Sequence, residues 1–169
     1  MAFAMLNAFA SVDANVFNIT LTDINGDNLR PRQYPDWIRP DPETKRLPDI
    51  TLDDLRAKIG GLLQDTTRIQ RNVIIRPRSA SALLIQLDDF TADKAEGTAP
   101  HAFLTICTSP NNFQVWLAVS DGPQESEKEA AKQFRTRVRQ GAGADHPARH
   151  VTRVSRSLPK LRMKFVSFL

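Results

Sequence analysis

Two adjacent carboxylates, Asp88 and Asp89, follow a largely apolar segment that begins at Leu83. Carboxylates at the end of a buried strand can hold a divalent metal at the rim of a sheet, because Mg²⁺ prefers a few carboxylates completed by water and substrate phosphates. Adjacent residues of a regular strand point to opposite faces, so both acids would reach one metal only if the strand curls or bulges. The alternative is an ordinary strand terminus with turn-favouring aspartates.

A polar turn, Thr108–Asn112, precedes a second segment of interest, in which Gln114 and Trp116 lie two residues apart. Alternation along a strand places these two side chains on one face. A polar residue beside an aromatic residue could line a nucleotide site, and it could equally be an ordinary residue of an edge strand. The spacing leaves both interpretations open.

A third acid, Asp145, is followed by Arg149 and Arg153. A carboxylate for metal and guanidinium groups for phosphate oxygens would suit phosphoryl chemistry. His146 and His150 could instead bind zinc if they lay on one helix. A proline between them and the lack of a nearby third ligand disfavour zinc.

The positive charge is concentrated in the last third of the chain. The protein has 169 residues, a formal net charge of +4 and a pI near 9.6. From Lys128 to Lys164, only Glu129 and Asp145 oppose a run of lysines and arginines. Such a surface indicates a polyanionic partner, most simply nucleic acid or nucleotide phosphates. A solvated helix face followed by a basic tail is the alternative.

Several function classes lack their usual signatures. The chain has no glycine-rich Walker loop, no Gly-x-Ser-x-Gly and no Cys-x-x-Cys, which argues against kinases, serine hydrolases and zinc fingers. The single cysteine, Cys107, lies in an apolar run and is expected to be a buried thiol, which suits a reducing cytoplasm. The apolar N-terminus has no basic n-region and is interrupted by Asn7 and Asp13. We therefore predict a soluble, cytoplasmic protein without a membrane span.

Helices that could position these residues are indicated by apolar periodicity. Residues 1–10 have a weak helical pattern, and a helix is predicted from Thr51 to about residue 65. The charged segment 125–140 is predicted to be an amphipathic helix. The proline-rich stretch 29–48 is predicted to be a long surface loop within a single domain that covers residues 1–169.

Strand-like segments dominate the middle of the chain. They are predicted at residues 15–22, 72–76, 82–88, 102–108 and 113–119. Pro77 is expected to end one of these strands, and Ala95–Gly97 to lie in a loop. Strands followed by a packing helix predict an α+β domain with a largely antiparallel sheet.

The order of these features resembles a known family. The segments that carry the resemblance are Ile74–Arg78, Leu84–Asp89, Thr108–Leu117 and Gly143–Asp145 with Arg149 and Arg153. Together they resemble the RepB-like primase domain of plasmids and integrated elements, which is similar to the archaeo-eukaryotic primase superfamily. The resemblance covers roughly Ala8 to Leu158, and its specificity comes from separate motifs in the right order.

The resemblance implies a primase-polymerase palm that makes primers on a single-stranded DNA template by metal-dependent nucleotidyl transfer. Residues with an implied role in metal binding and catalysis are Asp88, Asp89 and Asp145, which would hold Mg²⁺ or Mn²⁺. Implied nucleotide and phosphate contacts are Gln114, Arg76, Arg149 and Arg153. Implied partners are nucleoside triphosphates, the template and a replicative helicase.

Three positions depart from the family pattern. Gln86 stands where the superfamily has an acid, and Gln114 stands where it often has a histidine. The segment Arg156–Leu161 matches the usual continuation only loosely, which predicts truncation at the C-terminus. These departures leave a second hypothesis open, a catalytically inactive palm that binds single-stranded nucleic acid as a replication accessory.

Overall fold

Two antiparallel sheets form the framework of the protein. The structure is a computed structural model and describes residues 2–144 and 152–154. Within these ranges the first sheet has the strand order β2-β1-β3-β7 and the second the order β4-β6-β5. The strands are β1 Ala14–Thr22, β2 Ile50–Thr51, β3 Asn72–Ser79, β4 Leu83–Phe90, β5 Ala102–Ser109, β6 Asn112–Val119 and β7 Thr152–Val154. All these pairings are antiparallel, so the predicted α+β class with largely antiparallel strands is confirmed.

Helices cover the sheets in two pairs. They are α1 Ala2–Ala10, α2 Leu52–Arg68, α3 Ala92–Thr98 and α4 Lys128–Gly141. Helix α2 begins where the sequence predicts, because the Thr51 side chain accepts a hydrogen bond of 3.2 Å from the Asp54 backbone N–H. Among the residues that the structure describes, no helix is long and apolar enough to cross a membrane.

The expected loop at Ala95–Gly97 is wrong, because these residues belong to helix α3. This helix has only seven residues and buries only Ala95, so it has no apolar periodicity to reveal it. The expected strand end at Pro77 is also wrong, since β3 continues to Ser79. Among the described residues, β7 pairs with Val73, Ile74 and Ile75, so none of these pairings requires a backbone N–H from Pro77.

The larger core lies between the two sheets and is covered by α1 and α2. Phe9 of α1 is fully buried there, and its ring packs edge-on against Phe17, Phe103 and Trp116 at centroid distances of 6.3, 5.7 and 5.1 Å. Phe17 belongs to the first sheet, whereas Phe103 and Trp116 belong to the second. Phe9 therefore joins α1 to both sheets.

A smaller core lies on the opposite face of the second sheet. Its buried members are Leu83, Ile85, Leu87, Phe90, Ala95, Val115 and Ala131. Helices α3 and α4 supply the alanines, and strands β4 and β6 supply the rest. The second sheet is thus covered on both faces, and the polar residues buried on it need partners within the protein.

The proline-rich stretch contains two single-turn 3₁₀-helices, Pro31–Gln33 and Asp36–Ile38. Tyr34 and Ile38 are buried in the larger core. The Tyr34 hydroxyl donates to the Leu21 carbonyl and accepts from the Leu21 N–H, both at 3.0 Å. These contacts attach the stretch to β1.

We expect Phe9→Ala to lower the free energy of unfolding by about 3–5 kcal/mol, because it removes a ring that both sheets contact. Denaturant unfolding followed by circular dichroism measures the change. Phe3→Ala, on the same helix, is the control: Phe3 is 54% exposed, so an effect below about 0.5 kcal/mol is expected. Equal losses in the two variants would contradict the proposed packing role.

Candidate active site

The two acids lie in a β-bulge at the end of β4. Leu87 pairs with Val115 and Phe90 pairs with Phe113. Asp88 and Asp89 therefore lie together opposite a single residue of β6, Gln114. Asp89 has a φ of 60° and is exposed. In a regular strand Asp89 would share the face of Leu87 and enter the smaller core, but the extra residue places Phe90 there instead. The bend that two-acid metal binding requires is therefore present.

Two glutamine side chains hold the Asp88 carboxylate. Gln86 Nε2 donates to Oδ1 at 2.9 Å and to Oδ2 at 2.8 Å. Gln114 Nε2 donates to Oδ1 at 2.6 Å. Both glutamines are buried, so these bonds form in an environment of low dielectric constant, where they are strengthened. The orientation of Asp88 is consequently set by residues of two strands.

Burial is the main cause of a raised pKa for Asp88. Hydrogen bonds from Gln86 and Gln114 and the positive charge of Arg139 oppose this increase, whereas the negative charge of Asp89 adds to it. The Asp89 carboxylate is thus near enough to repel that of Asp88. A divalent cation would relieve this repulsion.

The β5–β6 turn holds Asp89 and the chain that follows it. Asn112 Nδ2 donates to Asp89 Oδ1 at 3.3 Å. Asn111 has a φ of 56°, and its Oδ1 accepts from the Ala92 backbone N–H, at the start of α3, at 3.2 Å. Residues of the second motif therefore contact the bulge through Asn112 and Gln114, and the start of α3 through Asn111.

Two arginines of α4 bind the edge of β4. Arg135 Nε donates to the Leu84 carbonyl at 3.3 Å, and Arg139 Nε donates to the Gln86 carbonyl at 3.2 Å. The helix rises about 6 Å from Arg135 to Arg139, which is close to the distance of two strand residues from Leu84 to Gln86. Each arginine can therefore reach its own carbonyl on β4. Arg139 is only 8% exposed, and burial lowers its pKa, with Arg135 as a further cause and Asp88 opposing.

The role of Arg139 was not identified from the sequence, which predicted an amphipathic helix over residues 125–140 and treated its cations as part of a basic surface. One signal was available: Arg135 and Arg139 share a helical face with the buried Ala131. A basic residue on the apolar face of an amphipathic helix points to a buried polar partner. Here the partners are the carbonyls of β4.

Comparison with known proteins identifies the architecture. No family model and no curated protein matches the sequence. The structure is similar to that of primase RepB', with a TM-score of 0.62, 16% identity, and coverage of 86% of this chain and 45% of the other. It is also similar to the catalytic domain of primase RepB' in complex with initiator DNA, with a TM-score of 0.57, 19% identity, and coverage of 88% and 72%.

The chain has the fold of the RepB' primase catalytic domain. It spans less than half of the first RepB' structure. The palm-like fold expected from the resemblance is confirmed.

The remaining predicted site residues are not all brought to Asp88. Within the described residues, Arg76 donates to the Thr20 hydroxyl on the first sheet, and no contact between Arg76 and Asp88 is present. Asp145 and Arg149 lie outside the described residues. Arg153 pairs with Ile74 in the β3–β7 ladder, and its side chain is not among those described.

The acid pair of this RepB'-like fold fits a hard divalent cation. Mg²⁺ is commonly bound by one or two carboxylates together with water and substrate phosphates. Asp88 and Asp89 supply two carboxylates, and the exposed Asp89 leaves solvent access. Among the described residues there is no cluster of three or more His, Cys, Asp or Glu side chains that could hold a metal. The pair would thus need a further ligand from outside that range or from a substrate.

The opposite pKa shifts of Asp88 and Asp49 predict opposite pH dependences of stability. The raised pKa of Asp88 means that the folded state retains its proton longer, so the Asp88 contribution decreases as pH rises above 3.8. Hydrogen bonds from Arg78 and Asn18 lower the pKa of Asp49, so its contribution is lost as pH falls below 3.8.

We expect the difference in unfolding free energy between the wild type and Asp88→Ala to shrink from pH 4 towards neutrality, while that for Asp49→Ala grows as the pH rises towards 4. Denaturant titrations over this pH range measure both. Parallel pH profiles for the two variants would contradict the prediction.

Proposed function

We propose that the chain is a primase domain of a plasmid or mobile element that makes short primers on single-stranded DNA by metal-dependent nucleotidyl transfer in the cytoplasm. The observation that carries the proposal is the bulged pair Asp88-Asp89, held by Gln114 and Asn112 in a fold shared with the RepB' catalytic domain. Two of the motifs recognised in the sequence, the acid pair and the polar turn with its strand, thus support the proposal through an arrangement suited to cation binding.

In this proposal Asp88, Asp89 and Asp145 hold Mg²⁺ or Mn²⁺. The bound metal would supply charge stabilisation for the attacking and leaving oxygens of the transfer. Gln86 and Gln114 keep the Asp88 carboxylate oriented. Guanidinium groups suited to triphosphate oxygens are those of Arg149, Arg153 and Arg76. A replicative helicase is the partner that the resemblance implies.

The outer face of α4 is proposed to bind the template backbone. This face is formed by Lys132, Gln133, Thr136 and Arg137, which line a shallow cavity of about 340 Å³, and both of its cations are exposed. The inner face of the same helix contacts β4 through Arg139, near Asp88. An exposed basic surface on a helix whose inner face approaches Asp88 suits the phosphates of a single strand. The RepB' catalytic domain has been solved in complex with initiator DNA.

Primer synthesis tests the catalytic proposal. The wild type should incorporate labelled nucleotides into a primer on a single-stranded template with Mg²⁺ or Mn²⁺. Asp88→Ala should reduce the amount of primer at least about 100-fold, because a ligand of the metal is lost. Asp53→Ala, which removes an exposed acid of α2, should retain activity. The proposal fails if the wild type makes no product, or if Asp88→Ala leaves the yield undiminished.

One observation favours a second function. Gln86 occupies the position where the superfamily has an acid, and its amide donates to both oxygens of Asp88. This arrangement stabilises the carboxylate without a metal, as an inactive palm that only binds single-stranded nucleic acid would require. In that case DNA binding should depend strongly on salt and be indifferent to divalent metal.

Charge reversal on α4 tests the proposed DNA surface. We expect Lys132→Glu with Arg137→Glu to weaken single-stranded DNA binding at least about tenfold at low salt and to reduce the slope of log Kd against log salt by about 0.7 per lost phosphate contact. Fluorescence anisotropy measures both quantities. Arg32→Glu with Arg68→Glu makes the same charge change at other exposed positions and should have a smaller effect. Equal losses in the two double variants would refute a specific role for α4.

A further inference from the structure

A hydrogen-bond chain leads from the larger core to the Asp88 carboxylate. Trp116 Nε1 donates to Gln114 Oε1 at 3.1 Å, and Gln114 Nε2 donates to Asp88 Oδ1 at 2.6 Å. Trp116 and Gln114 are 1% and 6% exposed, so water does not compete for these bonds. The Trp116 ring is itself fixed by Phe9, at a centroid distance of 5.1 Å and an interplanar angle of 89°.

The chemistry of the three groups permits only one direction for this chain. The indole N–H can only donate, and an ionised carboxylate can only accept. The Gln114 amide has one donor end and one acceptor end. If the amide were reversed, its NH₂ group would meet the indole N–H of Trp116 and its oxygen would meet the Asp88 carboxylate, and neither pair could form a hydrogen bond. Trp116 therefore determines that Gln114 presents its NH₂ group to Asp88.

The donors also determine which part of Asp88 remains for a ligand. An ionised carboxylate has about four lone-pair sites, two on each oxygen. Oδ1 accepts from both Gln114 and Gln86, whereas Oδ2 accepts from Gln86 alone. Within the described residues, the site that these bonds leave for a cation is on Oδ2.

We propose that Trp116 and Gln114 are positioning residues that orient Asp88 so that Oδ2 faces a divalent cation. The inference rests on the proposed function, because the cation is the one expected for nucleotidyl transfer. Groups that hydrogen-bond to a metal ligand orient it, and their loss typically costs about 10–100-fold in metal affinity. Gln114 thus acts on Asp88, whereas the resemblance implied a contact with the nucleotide.

The indole signals of the protein test the chain without any metal. The sequence has two tryptophans, Trp37 and Trp116, so a ¹⁵N-labelled sample gives two indole N–H cross-peaks that Trp37→Phe assigns. Asp88→Ala removes the acceptor of Gln114 and should shift the Trp116 cross-peak but not that of Trp37. Asp89→Ala is the matched control, because Asp89 bonds to Asn112 and not to Gln114. An unchanged Trp116 signal in Asp88→Ala, or an equal shift in Asp89→Ala, would overturn the proposed hydrogen-bond chain from Trp116 to Asp88.

Mn²⁺ binding tests the positioning role. By electron paramagnetic resonance, Trp116→Phe should bind Mn²⁺ about 10–100-fold more weakly than the wild type, and Trp37→Phe should bind it equally well. Gln114→Met keeps the indole and should show the same loss, so it carries the measurement if Trp116→Phe does not fold. Unchanged affinity in Gln114→Met would overturn the inference. Absence of Mn²⁺ binding by the wild type would overturn the metal role itself, and the indole signals would still decide whether the chain orients Asp88.

Discussion

Burial of Phe90 in the smaller core determines the shape of the candidate site. The ring is 1% exposed, and a regular strand would place the Asp89 carboxylate in its position, among apolar side chains. Burying an ionised carboxylate without a partner costs far more than bending a strand end, so β4 bulges. The bulge keeps both acids out of the smaller core and brings their charges close together. The geometry of the candidate site is thus a consequence of a packing requirement on the opposite face of the sheet.

The β5–β6 hairpin provides the counterpart to this bulge. Gln114 lies opposite the two acids, Asn112 donates to Asp89, and Asn111 accepts from the first turn of α3. The buried polar groups, such as the Gln114 amide, need partners within the protein, whereas Asp89 and the asparagines at the sheet edge remain accessible to solvent. The polar turn that resembles a primase motif therefore has a structural role, which is to hold the carboxylates of the first motif in place.

Helix α4 has two basic faces with different environments. Its inner arginines, Arg135 and Arg139, bind carbonyls on the edge of β4, which protects that edge from pairing with another chain. Its outer cations are solvated and available to phosphates. Basic residues on the inner face of α4 thus stabilise the packing of the helix on β4, and those on the outer face suit recognition of nucleic acid. The net charge of the segment does not distinguish these two roles, because they depend on whether each side chain is buried.

Local patterns in the sequence determined the α+β class, the positions of α2 and α4 and the central strands, because the repeat of apolar residues follows the geometry of each element. They also predicted that Asp88 shares a strand face with Gln86, because side chains alternate along a strand. The tertiary structure decided the bulge, helix α3, the bond from Gln114 to Asp88 and the burial of Arg139. Each of these depends on contacts between residues far apart in the chain, such as the separation of 26 residues between Asp88 and Gln114. Apolar periodicity within a segment gives no information about such contacts, because they depend on how the helices and strands pack against one another.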